Sequence, residues 1–93
     1  MRVLFSPQLS EDKIEYSFEG ETITATLNGM SDTFDFSEFP NGRAENINST
    51  LPIKPIVSAE RKDGELYVVL LNYIDEDATE EEKFPTWKVI NDG

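Results

Sequence analysis

The chain has no cysteine and no histidine. Without cysteine there is no disulfide framework, thiolate nucleophile, iron–sulfur cluster or cysteine zinc site. Without histidine the usual general base near neutral pH is missing, together with the commonest transition-metal ligand. Serine–histidine and cysteine–histidine catalysis are therefore excluded. Lysine, carboxylate or hydroxyl chemistry would need an enclosing pocket, which a chain of 93 residues has little material to build. A non-enzymatic protein with no cofactor is the expectation. No glycine-rich phosphate loop exists either, because the five glycines stand singly, four at turn positions and one at the end.

Positive charge is scarce. Eight Lys and Arg face 19 Asp and Glu, for a net charge of −11. The basic residues Arg2, Lys13, Arg43, Lys54, Arg61, Lys62, Lys83 and Lys88 are scattered, and only Arg61 and Lys62 are adjacent. Phosphate recognition needs clustered cations, so direct nucleic-acid binding is not expected, nor attraction to anionic membranes. A partner chosen by charge would be a basic protein; otherwise the charge serves solubility. Long apolar runs are missing too. Val3-Leu4-Phe5 falls short of the roughly 7–15 apolar residues of a secretory signal. No segment approaches the ~18 consecutive apolar residues of a membrane span. A cytoplasmic protein without a signal peptide is expected.

What the sequence does hold is strand and turn chemistry. A hydrophobic content of 38% with 11% aromatics is enough for one core, so residues 1–93 are expected to form a single domain. Ile14, Tyr16 and Phe18 alternate with Glu15, Ser17 and Glu19, as in a half-buried strand. Beyond Gly20, Ile23, Ala25 and Leu27 alternate with Thr22, Thr24 and Thr26. A two-residue hairpin loop puts all six apolar side chains on one face. Asn28-Gly29 is a second hairpin signal, which sets Leu27 opposite Met30 and Ile23 opposite Phe34, with Phe36 extending the face. Asp32 opposite Ala25 is the one misfit, expected near a strand end or sheet edge. A three-stranded meander over residues 13–37 follows.

The prolines at 40, 52 and 55 make residues 38–55 a crossover or an edge, with one helical turn expected over Arg43–Ile47. Asp63-Gly64 marks the third hairpin, with Glu60 opposite Tyr67 and Arg61 opposite Leu66. Its second arm, Leu66–Leu71, is apolar on both faces, the pattern of a central strand covered on both sides. Phe84–Ile90 reads as a last strand with Trp87 and Val89 on one face, and Asn91–Gly93 should fray. The fold class is mainly β: an antiparallel meander of about seven strands, the first near Leu4, forming a small sandwich or partly open barrel with at most one or two short helical turns.

The acidic run Asp75–Lys83 mimics the start of a calcium loop, with Asp75, Asp77 and Thr79 at the first three ligand positions. The match fails at the sixth and twelfth positions, where Glu80 and Thr86 replace the required Gly and Glu. No metal ligand set is therefore assigned. Thr79 with Glu82, or Asp77 with Glu80, has capping-box spacing for a short helix with a solvated acidic start. Thr22, Thr24 and Thr26 form a hydroxyl row that suits an exposed strand. Tyr67, Tyr73 and Trp87 are aromatic candidates for an interface, although such side chains in a small domain are more often core.

Three stretches, MRVLFSPQ, VSAERKDGELYVVLLNYI and DATEEEKFPTWKVI, resemble small acidic proteins encoded among the tail and late structural genes of prophages in Gram-positive bacteria. The resemblance runs through most of the chain and implies a phage setting, in the host cell or the particle, but carries no site residues. A looser likeness of type links the chain to phage-encoded DNA mimics such as uracil-DNA glycosylase inhibitors, which are also small, cysteine-poor, acidic β-proteins. Such a mimic needs its carboxylates gathered on one face. Here the acids spread over 11–21, 32–45, 60–65 and 75–82. The expected function is a protein–protein interaction module of a phage tail or its assembly. The alternative is an acidic inhibitor of a host DNA-binding enzyme. Candidate partner-binding residues are Tyr73, Asp75, Glu76, Asp77, Glu80, Glu81, Glu82 and Trp87, and self-association is a further possibility.

Overall fold

The structure, a computed structural model, describes residues 1–45 and 47–90. In chain order these form β1 (Arg2–Leu9), β2 (Ile14–Glu19), β3 (Thr22–Leu27), β4 (Met30–Asp35), β5 (Gly42–Glu45), β6 (Ile56–Lys62), β7 (Glu65–Ile74), α1 (Glu80–Lys83) and β8 (Lys88–Val89). They make a mainly β, two-layer arrangement: a three-stranded sheet β2-β3-β4 packed on a five-stranded sheet β5-β6-β7-β1-β8.

The hairpins follow the turn chemistry. Glu19 pairs with Thr22 across Gly20-Glu21, Leu27 with Met30 across Asn28-Gly29, and Lys62 with Glu65 across Asp63-Gly64. Both loop residues of the last two turns have positive φ, from 49° to 86°, the conformation that matches the twist of the flanking strands. Alternation then sends Ile14, Ile23, Ala25, Leu27 and Phe34 into the core against Val3, Ile56, Ala59, Leu66, Val68 and Leu70. The misfit Asp32 lies on the edge strand β4 with its carboxylate filled by local donors. It accepts from the Ser49 hydroxyl at 2.8 Å and from the Thr50 and Thr33 N–H groups at 2.9 Å. These bonds hold its carboxyl below the usual aspartate range, the Thr50 N–H contributing most.

Three details differ from the sequence expectations. Gly42–Glu45 is an edge strand, not part of a helical turn, because it pairs with the free side of β6, Ala44 opposite Ala59. Tertiary pairing here overrides local helix propensity. The last strand contracts to Lys88 and Val89, with Phe84 fully outside the core at 75% exposure. Lastly, β1 pairs in parallel with β7 along its whole length, Arg2 opposite Tyr67 through Leu9 opposite Ile74. A parallel partner requires a long crossover, and residues 10–64 supply one by building the three-stranded sheet and the β5–β6 arm on the way. Asn46 and Asn91–Gly93 lie outside the described residues.

Two side chains tie the layers together. The Arg61 guanidinium forms a bidentate pair with Glu21 (2.9 and 3.0 Å) and also donates to the carbonyls of Phe36, Phe39 and Gly64. All of its N–H groups are thereby used. Its hydrogen bonds hold the Glu21 carboxyl below the usual range and push the guanidinium pKa up. At the other end of the sandwich the Tyr16 hydroxyl donates to the Leu71 carbonyl, beside that of Pro55. Burial raises the Tyr16 pKa well above its ordinary value, with Tyr73 adding to the shift.

Candidate interaction surface

On β7 the inward Leu66, Val68 and Leu70 are fully buried, so Tyr67, Val69 and Leu71 face outward and stay half-exposed. The register surrounds them. Arg2 and Leu4 of β1 lie beside Tyr67 and Val69 on one side, and Glu60 and Ser58 of β6 on the other. Arg43 of β5 lies opposite Glu60. Trp87 leads into β8 and meets Tyr67 edge-on, ring centroids 5.6 Å apart and planes at 89°, while remaining 45% exposed. The Arg2 guanidinium sits 6.0 Å from the Tyr67 ring centre and 3.4 Å from the Glu65 carboxylate.

The result is a shallow depression of about 610 Å³ across the outer face of the five-stranded sheet. Its apolar floor is Tyr67, Val69 and Trp87; its rim carries Arg2, Arg43 and Lys62 together with Glu60, Asp63 and Glu65. Three of the eight basic residues, scattered along the sequence, thus converge on one face. Val89, opposite Arg2 and 51% exposed, continues the apolar strip at the sheet edge. An apolar centre with a mixed-charge rim is the anatomy of a protein-binding surface.

The candidate residues read from the sequence do not form one patch. Trp87 belongs to the depression. Tyr73 is six residues along β7 from Tyr67, roughly 20 Å away at strand rise, and packs against the core. Asp75, Glu76 and Asp77 form a loop at that far end, beside Leu9 and Glu11. The Asp75 carboxylate accepts the Asp77 N–H at 2.9 Å, closing a local turn. Glu80, Glu81 and Glu82 make up the first turn of α1, capped by Thr79: the Thr79 hydroxyl accepts from the Glu82 N–H, and the Glu82 carboxylate accepts from the Thr79 N–H. Glu81 takes the Lys88 ammonium at 2.6 Å, which holds its carboxyl below the usual range. Among the described residues, no three His, Cys, Asp or Glu side chains are close enough to hold a metal ion.

Sequence reading missed Arg2, Arg43, Glu60 and Lys62 as surface partners of Trp87. The available signal was the doubly apolar Leu66–Leu71 segment; covering on both sides was expected, but among the described residues no layer packs over its outer face, and Tyr67, Val69 and Leu71 stay half-exposed. The hydroxyl row on the opposite sheet is self-contained: Thr22, Thr24 and Thr26 bond to Asp35, Thr33 and Ser31 on the adjacent strand. No helix among the described residues is long and apolar enough to cross a membrane. The chain matches no protein-family model, no curated protein and no solved structure.

Proposed function

We propose that the protein is a non-enzymatic protein–protein interaction module, an accessory or structural component of a phage tail or its assembly, acting in the host cytoplasm or within the particle. Its partner docks on the outer face of the five-stranded sheet, with Trp87 and Tyr67 as anchors. The observation that carries this reading is the half-exposed Trp87 set edge-on against Tyr67, over a strand that is apolar on both faces and covered on one. Aromatic anchors of this kind dominate binding energy at protein interfaces. The tail setting rests on the sequence resemblance.

The test is affinity capture from cells in which a Gram-positive prophage has been induced. Recovery of tail or baseplate proteins, lost with Trp87→Ala, supports the reading. Intact tail assembly and infectivity after deletion of the gene would remove its basis. The DNA-mimic alternative gains nothing from the distribution of acids. Glu15, Glu19 and Asp35 belong to the three-stranded sheet, Glu60 and Glu65 to the five-stranded sheet, Asp63 to the turn between β6 and β7, and Asp75–Asp77 and Glu80–Glu82 to the segment after β7. That alternative predicts capture of a host nuclease, glycosylase or repressor that salt disrupts.

A further inference from the structure

An exposed sheet edge offers unpaired N–H and C=O groups to another strand unless something blunts it. Among the described residues, three of the four sheet edges are blunted. β5 is four residues long and carries Arg43 and Glu45. β8 covers β1 only at Arg2 and Val3, but the rest of that edge is broken by Pro7. The Ile90 N–H donates to the Met1 carbonyl and the Ser10 N–H to the Ile74 carbonyl, so odd-numbered backbone groups of β1 face the open side and Pro7 offers no donor there. On β4 the Asp32 carboxylate takes the N–H of Thr33, and Ser49 and Thr50 dock on the same carboxylate.

β2 is neither shortened, broken by proline nor capped by a hydrogen-bonded neighbour; it carries charge only at Glu15 and Glu19, which alternate with the core-facing Ile14, Tyr16 and Phe18. It is six residues long and contains no proline. Glu19 and Thr22 flank the hairpin loop and exchange hydrogen bonds, so Glu15, Ser17 and Glu19 point their backbone groups at β3. The N–H and C=O groups of Ile14, Tyr16 and Phe18 therefore point to the open edge, and no described residue hydrogen-bonds them. The side chains of Tyr16 and Phe18 pack on the core yet stay half-exposed, whereas Ile23 and Ala25 behind them are fully buried.

We propose that a second copy of this chain covers β2, pairing antiparallel about a two-fold axis at Tyr16 and joining the two three-stranded sheets into one of six strands. Only registers that set even residue against even residue use the free backbone groups. Centring on Tyr16 places Ile14 opposite Phe18 of the other copy, so all three free residues on each side pair. It also sets Glu15 opposite Ser17 and Lys13 opposite Glu19, at both ends of the ladder. Shifting the sum of paired residue numbers by two in one direction sets Glu15 against Glu15; in the other it sets Glu15 against Glu19 twice. Opposed like charges destabilise a ladder and opposed unlike charges stabilise it. One register thus satisfies hydrogen-bond phase, apolar pairing and charge together. The dimer leaves the outer faces of both five-stranded sheets free, so each assembly presents two copies of the Trp87 surface.

The test is sedimentation equilibrium on the intact protein, from micromolar to millimolar concentration. The wild type is expected to form a reversible dimer. Lys13→Glu or Glu19→Lys alone replaces both symmetry-related attractions by repulsions and should weaken it roughly tenfold or more, while the double exchange restores it. Both side chains are exposed, so neither change threatens folding. The chain lacks cysteine, so introduced thiols report the register cleanly. Glu15→Cys chains mixed with Ser17→Cys chains should oxidise to a crosslinked heterodimer, since such a pair has Cα atoms about 4.5 Å apart. A wild type that stays monomeric, a dimer indifferent to the single exchanges, or no preferential heterodimer crosslink overturns the proposal.

Discussion

On the three-stranded sheet, Thr22, Thr24 and Thr26 look outward and find partners on the neighbouring strand at 2.8–3.3 Å. On the five-stranded sheet, Leu4, Tyr67, Val69 and Trp87 look outward over a half-exposed apolar strip. Both sheets bury the same kind of inner face. The outer faces therefore differ for reasons that the core does not impose. A hydroxyl ladder offers water a satisfied polar surface and asks nothing of a partner, whereas an aromatic floor gains when something dry covers it. The proposed docking face is therefore the one whose outward side chains are apolar and lack partners of their own.

The sharpest way to separate the faces is first to break what joins them. Arg61→Ala leaves Glu21 without its bidentate partner and three carbonyls without their donor. A loss of about 3 kcal/mol or more is expected, read by thermal or denaturant unfolding. Tyr16→Phe, at the other end of the sandwich, strips one interlayer hydrogen bond and should cost about 1–2 kcal/mol. That variant should also lose an alkaline transition. The folded Tyr16 pKa is raised, so the stabilisation is complete below the ordinary tyrosine value near 10 and fades above it in the wild type.

The acid side runs the other way. Glu21 and Asp32 have lowered pKa values, through Arg61 and through Thr50 with Ser49. Their contribution is present above about pH 5 and is lost as pH falls below about 4, where the unfolded chain takes up protons first. Glu21→Gln should flatten that dependence in an unfolding series across pH 2–7, a range of order set by ordinary carboxylate values. Trp87→Ala removes the edge-on contact with Tyr67, so stability should drop by only about 1 kcal/mol while partner binding falls at least roughly tenfold. Smallest of all, Thr24→Ala on the other sheet should change stability by about 0.5 kcal/mol and leave binding untouched.

Much of the fold was legible because turns and alternation agree locally. Asn28-Gly29 and Asp63-Gly64 fix their registers to the residue, and the placement of Glu60 opposite Tyr67 follows from the turn alone. Long-range choices were not legible. Nothing in Arg2–Leu9 states that it runs parallel to β7, since that pairing depends on which neighbour completes the sheet after the hairpins have formed. The proposed docking surface inherits the same difficulty, because Arg2, Arg43, Lys62 and Trp87 meet only through the order β5-β6-β7-β1-β8. Residues 43–47 misled because Arg, Ala and Glu favour a helix, while the free side of β6 offered a ladder. The acidic segment misled in another way. Glu82 serves the helix cap and Glu81 binds Lys88, so part of its charge is used within the chain.

The most direct measurement of the central claim is a paired capture experiment with Trp87→Arg and Thr24→Arg, each placing one new cation on one outer face of an otherwise folded protein. The partner recovered by the wild type from prophage-induced cells should be lost with Trp87→Arg and retained with Thr24→Arg. Retention with Trp87→Arg, or loss with Thr24→Arg alone, would contradict the assignment of binding to the five-stranded sheet.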